Sequence, residues 1–163
     1  MSMYVAETPD QLASFEELTS MSGLDFMLGM FEGRIAGPPI AEAMNYWLEA
    51  VEEGRVVFRG APQFRDSNPM GSVHGGWYGT LLDSCMACAV MTRVPKGWVY
   101  TTLEYKVNIV RPIPLETEIL AEGVVQHAGR STGIARGEIV GAEDGRVYAT
   151  GSTTCIILKP GAR

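Results

Sequence analysis

The stretch NPMGSVHGGWYGTLLDSCMACAVMT, residues 68–92, opens on turn formers and runs into a segment whose one formally charged side chain is Asp83. Asn68-Pro69 and Gly71 favour a turn. From Gly75 or Gly76 to Thr92, apolar and small residues fall on every face, which predicts a helix buried nearly all round. Pro95, inside Arg93–Gly97, ends it. At 1.5 Å per residue such a helix is roughly 25 Å long, the width of a small domain. The rest of the chain has to wrap it.

The wrapper reads as an antiparallel sheet. Strands are expected near 44–51 and 56–61, joined through Glu52–Arg55 with Gly54 in a tight connection. Beyond the helix, residues 101–110 alternate: Leu103, Tyr105, Val107 and Ile109 on one side, Thr102, Glu104, Lys106 and Asn108 on the other. Further strands are expected at about 116–127, 131–140 and 146–158, the last two joined by a turn at Ala142–Gly145. The connections are too short for parallel crossovers. Gly123, Gly133, Ala135, Gly137, Ala149 and Gly151 permit the backbone to come close and the strands to bend. The fold class is therefore α+β, one long helix against one curved antiparallel sheet. The first forty residues read as two short helices, with Asp10 or Ser14 as caps, and a loop at 33–41. A sheet that leaves helix surface uncovered calls for a second copy of the chain.

The 163 residues fit one domain with a real core. The formal net charge of -6 argues against nucleic-acid and anionic-membrane partners, which need a basic footprint. No basic segment followed by an apolar run opens the chain, so no signal peptide is expected. Gly and Asp break the central helix too often for a membrane span. Three cysteines without a secretion signal suit a reducing, cytoplasmic compartment. Cys85 and Cys88 form a C-x-x-C deep inside the helix, where packing explains them better than redox chemistry. With two histidines, His74 and His127, and no HExxH or paired CxxC, no metal site is expected.

From Asn68 to Asp83 the pattern N-x-x-G-x-x-H-G-G-x-x-x-x-x-x-D resembles the signature of hotdog-fold acyl-CoA thioesterases of the phenylacetate-degradation type, relatives of 4-hydroxybenzoyl-CoA thioesterase. TTLEYKVNIVRPIP (101–114) and GRSTGIARGEIVGAEDGRVYATGSTT resemble that family's later strands. The likeness covers residues 43–158 and leaves 1–42 as an N-terminal extension. It implies an antiparallel sheet around a central helix, a homodimer or dimer-built tetramer, and active sites between subunits. The implied reaction is hydrolysis of an acyl-CoA thioester, with coenzyme A entering as part of the substrate and no separate cofactor. The implied roles are Asp83 as catalytic carboxylate, the Gly75 amide as polariser of the thioester carbonyl, Asn68 near water or carbonyl, and Thr102 orienting the water.

The residue chemistry is compatible with those roles. An ionised carboxylate in an apolar helix is costly unless paired or hydrated, and no basic residue lies one turn from Asp83. Partial burial raises a carboxyl pKa and suits a general base. Free amides at a helix start, at Gly75-Gly76, favour a developing oxyanion. His74, just before them, reads as a loop-fixing hydrogen-bond partner. Arg111 and Arg130, at strand ends, are candidates for the coenzyme A phosphates. Trp77, Tyr78, Met86 and Met91 fit either an acyl pocket or the core. Asp83 acts either by activating water or by attacking directly. An acyl-CoA binding or sensing module, and a hotdog hydratase or dehydratase, are the competing functions.

Overall fold

The structure, a computed structural model, describes residues 3–161. Short helices come first: α1 (Phe15–Ser20), α2 (Gly23–Phe31) and α3 (Pro39–Ala43). Ser14 caps α1 by accepting from the Glu17 N–H, and Ser22 caps α2 through the Asp25 N–H, each at 3.1 Å. Asp10 instead sits in a single 3-10 turn, Pro9–Gln11. α3 begins inside the stretch expected to be a loop. Pro39 occupies its first turn, where a missing N–H breaks no helical bond.

The sheet follows, with β1 (Tyr46–Glu52) and β2 (Arg55–Gly60) as a hairpin. Gly54 makes its turn at φ 80°, a conformation that side chains disfavour. After α4 (Gly75–Met91) come β3 (Val99–Ile109), β4 (Ile119–Ala128), β5 (Thr132–Gly141) and β6 (Val147–Leu158). All pairings are antiparallel, in the order β1-β2-β4-β5-β6-β3, so β1 and β3 form the edges. The expected architecture, one long helix wrapped by one antiparallel sheet, is the observed one.

A row of glycines seats the helix. Gly123, Gly137 and Gly151 stand side by side across β4, β5 and β6. A Cβ on Gly123 would fall 2.1 Å from the Cys85 carbonyl oxygen, and one on Gly137 2.7 Å from Met86 Cγ. The sheet thus offers a shallow trough, and α4 lies in it at Cys85 and Met86, two and three residues beyond Asp83. Leu81, Leu82, Cys85, Met86, Ala89 and Val90 are fully buried there.

The sheet does not cover α4 alone. Met27, Met30 and Ile35 belong to the same hydrophobic cluster as the helix. At the start of α2, the Gly23 N–H donates to the Val94 carbonyl at 2.9 Å, just past the end of α4. The N-terminal segment therefore supplies cover that the sequence reading assigned to a second subunit. No helix among the described residues is long and apolar enough to cross a membrane.

Candidate active site

The start of α4 is built by His74. Its backbone N–H donates to the Asp66 carbonyl at 2.8 Å, and its Nδ1 accepts from the Gly76 N–H at 2.9 Å. That makes His74 the N-cap, an unusual residue in a role Ser, Thr, Asn and Asp generally fill. Nδ1 is then an acceptor, which places the proton of the neutral ring on Nε2. With Gly76 occupied, the Gly75 N–H is the open donor: no hydrogen bond among the described residues uses it, and Gly75 is exposed. A helix N-terminus concentrates partial positive charge at that N–H.

Gly76, Thr80 and Asp83 lie at i, i+4 and i+7, one stripe along the one face of α4 that is not fully packed. Thr80 turns its hydroxyl back onto the Gly76 carbonyl at 2.9 Å. Asp83 accepts a hydrogen bond at Oδ1 from the Thr102 hydroxyl, at 3.0 Å. Among the described residues no cation reaches the carboxylate. Burial pushes the Asp83 carboxyl above the ordinary carboxylate range, and the Thr102 bond pulls it partly back.

Thr102 gets there through a bulge. The β3–β6 register shifts between Thr102 and Glu104, so Leu103 is an extra residue on β3. Strict alternation put Thr102 on the face opposite Tyr105 and Ile109. In the structure all three face α4: Thr102 on Asp83, Tyr105 over Gly79, Ile109 beside Gly75. The Tyr105 hydroxyl lies 3.3 Å from where a Gly79 Cβ would stand, so Gly79 makes room for that ring.

Asn68 spends its side chain within its own loop. Its Oδ1 accepts from the Met70 and Ser72 N–H groups, and its Nδ2 donates to the Ser72 hydroxyl. This is an Asx-type turn that shapes the approach to His74 and Gly75. Arg111 follows β3, at the end where Ile109 meets Gly75, and donates to the Val147 carbonyl. Arg130 sits between β4 and β5, beside Gly133, which packs on Val90 near the far end of α4. One protomer thus holds the two arginines about a β3 length apart, roughly 30 Å. Trp77, Tyr78 and Met86 are core residues; the Tyr78 hydroxyl accepts from the Ile113 N–H at 2.8 Å. Burial raises the Cys85 thiol well up and holds Cys88 up at about 12, the reverse of a reactive thiolate. Among the described residues, no three His, Cys, Asp or Glu cluster as metal ligands.

Sequence reasoning missed the pair Tyr46 and Ser84, whose hydroxyls lie 3.0 Å apart beside the Asp83 position. The available signal was Ser84 itself, a polar residue adjoining Asp83 in an otherwise apolar helix.

Residues 70–148 match the model of the family described as the thioesterase superfamily. Similar solved structures include a putative thioesterase, a phenylacetic acid degradation-related protein from Ralstonia eutropha. It is 25% identical over 80% of this chain and 98% of its own, with a TM-score of 0.73. A mutant of the phenylacetic acid degradation protein PaaI from Thermus thermophilus is 26% identical over 72% of this chain and 97% of its own, at 0.66. A hypothetical thioesterase from Streptococcus pneumoniae, solved with coenzyme A, is 25% identical over 71% of this chain and 87% of its own, at 0.64. No curated protein matches the chain.

Proposed function

The chain belongs to the thioesterase superfamily of hotdog-fold proteins, and on that premise we propose that it hydrolyses an acyl-CoA thioester with Asp83 as general base. The observation that carries the reading is the state of Asp83. It is a partly buried carboxylate in an apolar helix, with no cation beside it among the described residues, held by the hydroxyl of Thr102. Structural carboxylates in such places are ordinarily paired.

The chemistry follows from the open amide at the start of α4 and the carboxylate on its exposed stripe. Asp83 takes a proton from water, and the hydroxide oxygen bonds to the thioester carbon. The Gly75 N–H receives the negative charge that develops on the carbonyl oxygen. Collapse breaks the carbon–sulfur bond, and the proton leaves with the coenzyme A thiol.

Eight residues of α4 separate Gly75 from Asp83, about 12 Å along the axis, so one protomer cannot bring both to one carbonyl. A second copy, related by a two-fold axis at the level of Gly79, sets the partner's Gly75 against Asp83. The long edge strand β3 favours such a neighbour: among the described residues nothing pairs with its outer edge, and Leu103, Tyr105 and Ile109 are exposed. The assembly is therefore a dimer or a dimer-built tetramer with shared sites. In it, Arg111 and Arg130 come from different protomers to the phosphates of one coenzyme A, and Asn68 shapes the loop that presents Gly75.

The test is Asp83→Asn. Thioester hydrolysis across an acyl-CoA panel should fall by about 10²–10⁴-fold, with circular dichroism and the light-scattering mass unchanged. Near-normal turnover in a folded variant would make Asp83 structural. Tight acyl-CoA binding by wild type without turnover would make the chain a binding module.

A further inference from the structure

A cavity of about 370 Å³ lies between the N-terminal segment and the side of α4 next to Asp83. Its roof is made of Leu12, Ala13, Leu18, Phe26, Met27 and Met30. Ser84, Cys88 and Met91 from α4, with Tyr46 and Tyr100, form the opposite wall. Among the described residues, none that lines it carries a formal charge. Two of its polar groups, the Tyr46 and Ser84 hydroxyls, satisfy each other at 3.0 Å. The cavity is open to solvent on one side, where Leu12 is exposed, and its walls are otherwise apolar, so a hydrocarbon group can enter it from outside. Its surface suits a hydrocarbon group and offers nothing to a phosphate.

The cavity is continuous in sequence with the candidate site on two elements. On α4, Ser84 follows Asp83 directly. On β3, Tyr100 is two residues before Thr102 and on the same side of the strand, about 7 Å away. Burial chiefly holds the Tyr46 hydroxyl and the Cys88 thiol up at about 12, and the Asp83 charge adds to both, as it does at Tyr100. The walls of the cavity are thus within the electrostatic reach of the carboxylate.

We propose that this cavity is the acyl pocket, and that the N-terminal segment sets its depth through Ala13, Phe26 and Met30. A buried apolar cavity of about 150 Å³ holds benzene. Scaled from that filling, this one has room for at most about fifteen carbons, and for fewer where it opens to solvent, which suits a medium-chain or arylalkyl acyl group. The segment before residue 43 is then a specificity element, which places the acyl end of the substrate in a part of the fold made by one protomer. This inference rests on the thioester-hydrolase reading for what enters, and its test separates the two.

Two variants move the pocket in opposite directions, and neither touches the proposed chemistry. Ala13→Phe fills it from the roof, and Phe26→Ala deepens it. Hydrolysis is compared for acetyl-, octanoyl-, decanoyl-, hexadecanoyl- and phenylacetyl-CoA, with thermal unfolding as the check on folding. Wild type should prefer octanoyl- and decanoyl-CoA. Ala13→Phe should lose about tenfold or more of kcat/KM on decanoyl-CoA while acetyl-CoA hydrolysis is kept. Phe26→Ala should move the preference toward hexadecanoyl-CoA. The independent readout is calorimetric binding of the same thioesters to Asp83→Asn, where affinity should rise from acetyl to decanoyl, and Ala13→Phe in that background should abolish the rise. Chain-length dependent binding without any hydrolysis in wild type sustains the pocket and sinks the thioesterase reading. A chain-length profile that neither folded variant moves, or binding to Asp83→Asn that ignores acyl length, overturns the pocket.

Discussion

Replacing Thr102 by valine keeps the shape of the side chain and removes the hydroxyl that, among the described residues, holds Asp83. Two opposed influences act on that carboxyl: burial raises its pKa, and the 3.0 Å bond from Thr102 lowers it. Hydrogen bonds to charged groups contribute about 1.5–3 kcal/mol. Asp83 lies on the open stripe of α4, so water replaces part of the lost bond, and a discounted value of about 1 kcal/mol is appropriate. At about 1.4 kcal/mol per pH unit, Thr102→Val should move the acid limb of the kcat/KM profile upward by a little under one unit. On that limb the rate should fall roughly five- to tenfold beyond any loss on the alkaline plateau. Thr102→Ser restores the hydroxyl and should return the limb to its wild-type position. The assay is loss of thioester absorbance on the best acyl-CoA, followed across the acid range with folding checked at each pH. A folded Thr102→Val whose acid limb coincides with that of wild type would refute the reasoning, because either the limb does not report Asp83 or the bond does not tune it.

The same carboxyl makes a prediction about stability. Its folded-state pKa is raised, so the native state binds the proton more tightly, and ionised Asp83 opposes folding as pH rises past the ordinary carboxylate range. Asp83→Asn should therefore unfold at a higher temperature than wild type near neutral pH, with the gap closing as pH falls toward about 4; a gap that widens on acidification would contradict the burial of the charge. Gly123→Ala drives a methyl group to 2.1 Å from the Cys85 carbonyl, a backbone atom in a helix packed on both sides. Overpacking of this kind costs about 1–3 kcal/mol, and a clash with backbone puts this change at the upper end, so the melting temperature should drop by roughly 6–12 °C; an unchanged melting curve would show that α4 does not lie in the glycine trough.

The helix was legible because nothing in residues 75–91 offers it a polar face except at Thr80, Asp83 and Ser84, and the sheet because its strands alternate. The glycines of β4, β5 and β6 were legible as places of close approach. That three of them share one rung is a matter of register, which only the paired strands reveal. The position of Thr102 was misread for a related reason. Strict alternation assumes an uninterrupted ladder, and one extra residue at Leu103 turns every side chain before it to the other face. Nothing in TTLEYKVNIV signals that bulge, because each of its residues is acceptable in a regular strand.

The N-terminal segment was opaque on different grounds. Its short helices carry ordinary caps, at Ser14 and Ser22, and their apolar residues read only as amphipathic packing. What they pack around is set by partners far along the chain, from Tyr46 to Ser84, Cys88 and Tyr100. Local pattern predicts that a face is apolar; it does not say whether the opposing face will meet it or leave a gap. The two parts of the candidate site differ in just this respect. The Asp83 stripe and its open Gly75 amide follow from one helix and one cap, both local, so the sequence carries them as a motif. The cavity beside them is the space left where α1, α2 and α4 fail to close, and its size depends on side chains from both ends of that separation. A chain of this kind can therefore keep the motif unchanged while residues near Ala13 and Phe26 reset which acyl groups fit.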